Sequence, residues 1–245
     1  MTQSERVTVI ICCLNEEKNI EKTVDDIYEV VPGLDIEVNV LMINDGSTDN
    51  TEQAMIRLGE KYEGCRHISL EKNIGLGAAT MLAHENIDDE SWVTIVPGDN
   101  EFDFKSIQSF LELKDQYDVL LGYYGNAVIR PLGRRIASST FNTVTNFLYS
   151  YDCRYLNGMK MYKAKTFKGL QTESTGHAFF AELLAKAIIR EPSLRIGEVP
   201  FWVRGRKYGK STAIQPLAIL KAVKDTLYGY ISVAEYREQT FRGKE

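Results

Sequence analysis

The first half of the chain repeats one pattern: a short apolar run, then a polar or glycine-containing turn, then helical spacing of apolar residues. The apolar runs occupy residues 7–13, 36–43, 66–70 and 92–96. Continuous apolar runs are typical of strands that are covered on both faces. Strands that alternate with helices predict a parallel sheet with helices on both sides. We therefore expect an α/β fold whose polar turns meet at the carboxyl edge of one sheet, where such folds bind ligands.

Composition narrows the class of protein. A chain of 245 residues with 44% hydrophobic content is enough for one large core, and its net charge of −5 argues against a general nucleic-acid binder. The four cysteines lack metal-site spacing, which is typical of reduced packing residues in the cytosol. The amino-terminal apolar run is too short for a signal peptide, and no window reaches the length of a membrane-spanning helix. We expect a cytoplasmic protein, with association at the cytoplasmic face of a membrane as an open alternative.

The turn after the fourth apolar run concentrates acidic residues. Pro97 and Gly98 form the turn, and Asp99, Glu101 and Asp103 follow it. Three carboxylates so close together repel one another unless a cation compensates them, and oxygen ligands suit Mg²⁺ or Mn²⁺. The alternative is a solvated acidic loop.

Glycines after the third apolar run resemble a fragment of a dinucleotide-binding fingerprint. Thr80 stands at the third glycine position, however, and the loop follows the third strand instead of the first. Close approach of the backbone to a ligand or to a neighbouring turn explains Gly75 and Gly77 equally well.

Four segments together carry a family resemblance: CLNE at 13–16, NDGSTD at 44–49, NIGLG at 73–77 and GD at 98–99. In this order and strand context they resemble the inverting family 2 glycosyltransferases of GT-A fold. The likeness extends to about residue 211 and is closest to the dolichyl- or polyprenyl-phosphate sugar synthases. It implies transfer of a sugar from a GDP- or UDP-sugar to a polyprenyl phosphate at a membrane surface. A non-lipid acceptor and a non-catalytic subunit that binds nucleotide sugars stay open as alternatives.

The resemblance also implies a donor site and a metal. The donor-binding positions that it indicates are Cys13, Asn15, Glu16, Asp45, Asn73, Gly77, Asp99, Arg206 and Lys210. Asp99 matches the second aspartate of the family's Asp-x-Asp motif, whereas Pro97 replaces the first. Glu101 stands where relatives have a glutamine that faces the metal. We therefore expect Asp99 and Glu101 to hold Mg²⁺ or Mn²⁺, unless the loop has lost metal binding.

The second half of the chain carries the acceptor positions that the resemblance implies. They are Arg130, Arg134, Ser138 and Lys160. His177, at the start of a predicted helix, is a further acceptor-binding candidate, and the alternative is a helix cap or a surface residue. Arg134 and Ser138 lie one helical turn apart, as in relatives that hold an acceptor's phosphate, and guanidinium pairs bidentately with phosphate. Arg130 is the expected substitute for an arginine whose place Tyr124 takes. The alternative is a basic surface helix with a buried apolar stripe.

Three acidic residues are the catalytic candidates: Asp99, Asp152 and Glu182. Asp152 precedes the segment that resembles the family's Gly-Phe-Arg, and it would orient the basic cluster or act as general base. Glu182 corresponds to a glutamate near the acceptor in relatives. A phosphate acceptor is already ionised and needs no base.

The end of the chain adds a loop and a helix. Residues 203–212 hold Arg204, Arg206, Lys207 and Lys210 between glycines, which favours a mobile lid over a diphosphate. From residue 215 an amphipathic helix is expected to pack on the domain through its apolar side, with a membrane-surface role as the alternative. We expect a glycosyltransferase domain over residues 1–213, with a donor half at 1–103 and an acceptor half at 104–213. Residues 214–245 form the helix and a charged, frayed tail.

Overall fold

The computed structural model describes residues 5–205 and 216–242 of the chain. One seven-stranded sheet forms the centre of this part, with strand order β3-β2-β1-β4-β6-β5-β7. The strands are β1 Arg6–Cys13, β2 Glu37–Asn44, β3 Cys65–Ser69, β4 Trp92–Ile95, β5 Val119–Tyr124, β6 Lys160–Lys163 and β7 Ile196–Phe201. The four apolar runs of the first half are thus strands, as the repeat predicts.

One strand of the described sheet runs against the others. β6 pairs antiparallel with β4 and with β5, while the remaining pairs are parallel. Because β6 is reversed, its first residue, Lys160, lies at the edge where β1, β2, β4 and β5 end. This reversal brings a lysine of the second half to the donor edge of the first half.

Helices cover both faces of the sheet, as expected for strands whose side chains alternate between two cores. The helices are α1 Ile20–Val30, α2 Thr51–Lys61, α3 Leu76–Glu85, α4 Ile107–Leu111, α5 Leu132–Tyr149, α6 Phe179–Arg190 and α7 Pro216–Arg242. Apolar residues of α1, α2 and α4 join one core, and those of α3 and α6 join the other. The expected mostly parallel α/β sheet, covered on both faces and followed by a carboxyl-terminal helix, is confirmed.

The orientation of α7 corrects the sequence expectation. The side expected to pack inward is exposed: Leu220, Val223, Leu227 and Ile231 are all more than half exposed. Polar residues face the domain instead, with Asp225, Thr226 and Ser232 buried alongside Val233.

Two features explain why the polar side of α7 packs inward. The surface beneath the helix offers backbone amides and a buried lysine, which hydrogen-bond polar side chains. Gly229 permits close approach, because a Cβ there would lie 2.4 Å from the Oγ of Ser174. The helix also continues to Arg242, where a frayed tail was expected.

In the described ranges, no helix is both long enough and apolar enough to cross a bilayer.

Candidate active site

The turns after β1 and β2 are tied together at the carboxyl edge of the sheet. Asn15 adopts a left-handed backbone (φ 58°), and its side-chain oxygen accepts a hydrogen bond from the Thr48 amide at 2.8 Å. The Asn15 amide donates to Ser47 Oγ at 3.0 Å, and the Glu16 amide donates to Thr51 Oγ1 at 2.8 Å. The structure therefore brings the expected donor residues Asn15 and Glu16 into one rigid corner.

Asp45 fixes the loop that follows β3. Its two carboxylate oxygens accept hydrogen bonds from the amides of Ile74 (2.7 Å) and Gly75 (3.0 Å), and the residue is only 4% exposed. Asp45 therefore lies at the expected edge, but its carboxylate is engaged in holding the loop.

The other donor positions near that loop differ in accessibility. Asn73 is exposed. Gly77 is buried, and its amide donates to the Thr175 carbonyl at 2.9 Å. Cys13 is also buried, and a Cβ at Gly98 would lie 2.5 Å from its sulfur. This geometry favours a supporting role for Cys13 and Gly77 and leaves Asn73 open to a ligand.

Asp99 and Glu101 follow β4 at the same edge, as the sequence predicts. The Glu101 amide donates to Asp99 Oδ1 at 3.1 Å. Arg134, from the first turn of α5, grips Glu101 with both ends of its guanidinium: Nη1 lies 2.7 Å from Oε1, and Nη2 lies 3.1 Å from Oε2. Partial burial of Arg134 disfavours its charged form and opposes a raised pKa. The Glu101 carboxylate outweighs this effect and raises the pKa of Arg134, with smaller contributions from Tyr124 and Asp99. An expected acceptor residue thus contacts an expected metal ligand.

Arg204 clamps the acidic turn from the other side. Its guanidinium bonds Asp26 and, at 2.7 Å, Asp103, and its amide donates to the Glu101 carbonyl at 2.7 Å. The sequence predicts that Arg204 belongs to a mobile lid together with other cations. This prediction is wrong for Arg204, because its guanidinium and its backbone amide both bond the acidic turn. The expected donor residues Arg206 and Lys210, with Lys207, lie outside the described residues.

Arg130 and Ser138 form the acceptor side with Tyr124. Arg130 Nη1 donates to Ser138 Oγ at 3.3 Å, and its guanidinium lies 4.3 Å from the centre of the Tyr124 ring. Arg130 is 8% exposed, and its Nε has no hydrogen-bond partner among the described residues. A cavity of about 480 Å³ opens beside this group, lined also by Tyr123, Leu132, Ile136, Arg154 and Tyr155. A buried cation with an unused donor next to a cavity is suited to bind an anion.

Lys160 and His177 complete the cationic side. The Lys160 ammonium donates to the Gly158 carbonyl at 2.9 Å and lies 4.5 Å from the centre of the Phe180 ring. Burial lowers the pKa of Lys160 to about 7. His177 is exposed as a whole residue, but desolvation of its ring by the surrounding chain lowers its pKa. The Asp225 carboxylate opposes this shift, and Lys160 and Arg134 add smaller lowering contributions. These two residues therefore share an electrostatic environment with Arg134.

Within the described residues, the expected catalytic residues Glu182 and Asp152 make no hydrogen bond or ion pair with this group. Glu182 is fully buried, accepts amide hydrogen bonds from Glu173 and Ser174, and pairs with Lys186 at 2.8 Å. Although burial opposes it, Lys186 and the two amides lower the pKa of Glu182. This geometry favours a structural role for Glu182. Asp152 is exposed, and its side chain has no hydrogen-bond or ion-pair partner within residues 5–205 and 216–242.

Two residues at this edge escaped the sequence interpretation. Asp225 of α7 accepts hydrogen bonds from the amides of Thr175 (2.7 Å) and Gly176 (3.0 Å), and so holds the loop that packs on Gly75 and Gly77. The available signal was an acidic residue in the part of α7 before Glu235, which carries no other acidic residue. In the sequence, Tyr124 is only the residue that takes the place of a family arginine. In the structure, its ring packs against the Arg130 guanidinium.

Comparison with known proteins agrees with this architecture. The family model described as Glycosyl transferase family 2 matches residues 8–181, which include β2 to β6 and all of β1 except its first two residues. An uncharacterized glycosyltransferase of Mycoplasma genitalium, MG060, is 28% identical over 124 residues, which cover 49% of this chain and 41% of the relative. Glycosyltransferase AglD of Haloferax volcanii is 24% identical over 208 residues, or 79% of this chain and 32% of AglD. The chain thus spans well under half the length of either relative.

Among solved structures, glucosyl-3-phosphoglycerate synthase from Mycobacterium tuberculosis shares the fold. Its complex with Mn²⁺, UDP-glucose and phosphoglyceric acid has a TM-score of 0.67 at 18% identity, covering 92% of this chain and 80% of that one. Its complex with Mn²⁺, UDP-glucose and glycerol 3-phosphate has a TM-score of 0.67 at 20% identity, covering 94% and 80%. Another complex of that enzyme holds Mg²⁺ and UDP.

Proposed function

Because the chain belongs to glycosyl transferase family 2, we propose that it transfers a sugar from a nucleoside-diphosphate sugar to an acceptor that carries a phosphate, with inversion at the sugar. One observation carries this proposal: carboxylates and cations from both halves of the chain meet at one edge of the sheet. Asp99 and Glu101 lie on the donor side, and Arg134 with the Arg130–Ser138 pair lies on the acceptor side. A transferase needs both sites next to each other, since proximity of the two reactants supplies much of its rate.

The residues fit a divalent cation held together with a diphosphate. No group of three or more His, Cys, Asp or Glu side chains in the described ranges could hold a metal alone. Mg²⁺, however, is commonly bound by one or two carboxylates together with substrate phosphates. We propose that Asp99 and Glu101 supply those carboxylates for Mg²⁺ or Mn²⁺. The ion would stabilise the negative charge that develops on the departing nucleoside diphosphate.

The cations favour an acceptor that is itself an anion. Arg130 is buried without a carboxylate partner among the described residues, and it faces the cavity beside Ser138. A phosphate oxygen that attacks the sugar is already ionised, so transfer requires no general base. The buried, ion-paired position of Glu182 and the isolated position of Asp152 agree with such an acceptor. The related solved structures with phosphoglyceric acid or glycerol 3-phosphate also contain phosphate-bearing molecules.

A second surface supports a polyprenyl phosphate as that acceptor. The outward side of α5 and α7 is apolar: Ile136 is 59% exposed, Phe147 83% and Leu220 67%. The two helices meet where the rings of Tyr149 and Tyr230 lie 6.1 Å apart. We call this surface, formed by the exposed residues of α5 and of α7 up to residue 234, the apolar face.

The charges around the apolar face are basic. α5 has no acidic residue, and the acidic residue of α7 before Glu235, which is Asp225, is buried. Lys221 and Lys224 are exposed beside the apolar side chains. An apolar stripe flanked by lysines is typical of helices that lie on an anionic lipid surface. Such a surface would deliver a lipid-linked phosphate to the adjoining cavity.

The donor is tested by thermal unfolding of the purified protein with UDP, GDP, CMP or dTDP, each with Mn²⁺, with Mg²⁺ or with chelator. A nucleotide at one hundred times its dissociation constant stabilises the folded state by about 2.7 kcal/mol. We expect UDP or GDP to stabilise the protein only when the metal is present. If no nucleotide stabilises it under any condition, transferase function is refuted.

The acceptor is tested by transfer from the identified donor to polyprenyl phosphate in anionic vesicles, to 3-phosphoglycerate and to glycerol 3-phosphate. We expect transfer to the lipid. We also expect Leu227→Glu to abolish vesicle binding without changing stability, because Leu227 is 52% exposed. Ile56→Glu, at a 43% exposed residue on α2, is the matched control and should still bind vesicles. Transfer only to the water-soluble phosphates would refute the lipid acceptor while retaining the transferase.

Pro97, in place of the first motif aspartate, favours a second candidate function: a non-catalytic subunit that binds nucleotide sugars. Donor binding with neither transfer to a phosphate acceptor nor hydrolysis of the sugar nucleotide would favour that candidate.

A further inference from the structure

The ion pair between Arg134 and Glu101 engages both carboxylate oxygens and both terminal nitrogens of the guanidinium. Both Glu101 oxygens accept hydrogen bonds from the two terminal nitrogens of Arg134, and the side chains are only 10% and 18% exposed. Because Arg134 faces both oxygens of the Glu101 carboxylate, a metal ion cannot bind to the two oxygens from that side. While it holds Glu101, this guanidinium cannot offer the same parallel pair of N–H groups to a phosphate. The proposed metal ligand and the proposed acceptor cation therefore block each other in this state.

The surroundings of the pair allow exchange of partners without unfolding. The backbone of Glu101 is fixed on both sides, because its amide bonds Asp99 and its carbonyl accepts from the Arg204 amide at 2.7 Å. Arg134 lies in the first turn of α5, and its Nε is buried without a hydrogen-bond partner among the described residues. Side-chain rotation at Arg134 alone would thus release Glu101 while the turn stays in place.

We propose that Arg134 is the exchangeable counterion of Glu101: the divalent cation bound with the donor diphosphate displaces it, and the released guanidinium then binds the acceptor's anionic group. This inference rests on the proposed function and extends it. Before the donor arrives, Arg134 neutralises a buried carboxylate that would otherwise lack a partner, which is costly. After the donor arrives, the metal neutralises Glu101, and Arg134 is free beside Arg130 and Ser138.

The exchange predicts coupling between the two binding sites. Since binding of the metal and donor liberates the acceptor cation, each ligand increases the affinity for the other by the same factor. An acceptor anion without the donor must compete with Glu101 for Arg134. The protein would therefore bind the metal and donor first and the acceptor second.

The test measures Mn²⁺ binding directly, by loss of the free-ion electron paramagnetic resonance signal in the presence of UDP. Arg134→Gln removes the competing guanidinium, and we expect Mn²⁺ with UDP to bind about tenfold more tightly. Arg135→Gln makes the same change of charge at the exposed neighbouring residue, whose side chain has no partner among the described residues, and should leave Mn²⁺ affinity within about twofold. Arg134→Lys keeps the charge and should fall between the wild type and Arg134→Gln.

The same Arg134→Gln substitution in a Glu101→Gln variant distinguishes exchange of partners from a general effect of removing a positive charge. In Glu101→Gln, which lacks the competing carboxylate, Arg134→Gln should no longer change Mn²⁺ affinity. Glycerol 3-phosphate serves as the anionic probe in calorimetry. We expect Mn²⁺ with UDP to increase its affinity for the wild type, and Glu101→Gln to bind it equally well with and without them.

The outcomes distinguish this inference from the proposed function. If Arg134→Gln leaves Mn²⁺ affinity unchanged, or increases it equally in the Glu101→Gln background, the exchange is refuted while the donor site stands. If the wild type binds no Mn²⁺ even with UDP, the exchange and the metal-dependent function both fail. Circular dichroism of each variant identifies any that does not fold. In that case the Arg134→Lys comparison, which keeps a cation at the position, decides between the same outcomes.

Discussion

Replacing Glu182 by glutamine tests whether this residue is structural, as its contacts indicate, or catalytic, as the family resemblance implies. The Lys186 ammonium directs its three hydrogens to Glu182 (2.8 Å), the Gln171 carbonyl (2.7 Å) and Ser232 Oγ (2.7 Å). The side chains of Glu182 and Lys186 are 0% and 7% exposed. The substitution therefore leaves a buried ammonium without its counterion.

The expected cost follows from that burial. Removing one partner of a buried ion pair costs about 3–5 kcal/mol. Because each kcal/mol shifts the melting temperature of a chain of this length by roughly 2–4 °C, we expect Glu182→Gln to lower it by at least about 6 °C. Thermal unfolding followed by circular dichroism measures this change. The matched control is Glu90→Gln, which breaks an exposed pair with Lys165 and should cost less than about 1 kcal/mol.

The pH dependence gives an independent check on Glu182. Its pKa is lowered in the folded protein, so its contribution to stability is present above the pKa of an unfolded glutamate and is lost as the pH falls through the folded value. The wild type should therefore lose more stability than Glu182→Gln on acidification below about pH 4.5. An unchanged melting temperature together with a large loss of transfer rate would refute the structural role.

Three further predictions concern other positions. If Asp99 is the proposed metal ligand, Asp99→Asn should weaken Mn²⁺-dependent UDP binding by about 100-fold or more. Unchanged stabilisation by UDP with Mn²⁺ in the thermal assay would exclude Asp99 from the metal site. Because burial lowers the pKa of Lys160 to about 7, its side chain binds fewer protons in the folded protein than in the unfolded chain between about pH 7 and pH 10, so the wild type should gain stability relative to Lys160→Met over that range. An equal change in the denaturation midpoint of the two proteins between pH 7 and pH 9.5 would contradict this. Gly229→Ala should destabilise the protein by about 1–3 kcal/mol, because the added Cβ would lie 2.4 Å from Ser174 Oγ and 3.0 Å from Tyr149 Oη. The control is Gly133→Ala, whose Cβ would have no atom within 4 Å and which should be neutral or slightly stabilising. Equal melting temperatures for the two variants would refute close packing of α7.

Local patterns were enough to predict the α/β framework and the edge at which the candidate site lies. Strand and helix periodicity depend on neighbours a few residues apart, and the turns after β1, β2 and β4 were readable from their polar and glycine residues. The meeting of Asn15 with Thr48 follows from that framework, because the carboxyl ends of adjacent parallel strands share an edge.

Contacts between distant segments decided the rest. β6 runs against its neighbours and so brings Lys160 to the donor edge, a result that no local pattern of β6 specifies. Arg134 and Glu101 are 33 residues apart, and each had its own expected ligand when considered alone.

The orientation of α7 shows most clearly the difference between what local sequence patterns predict and what tertiary contacts decide. Helical periodicity in the sequence predicts an apolar side of this helix, but it could not say which residues face the domain: Asp225 is buried, whereas Lys221 and Lys224 are exposed beside the apolar side chains. That choice depends on what the domain presents: the amides of Thr175 and Gly176 and the buried Lys186 need polar partners, which Asp225 and Ser232 supply. Leaving these buried amides and the Lys186 ammonium without partners would be costly, so the side of α7 that can hydrogen-bond them faces the domain.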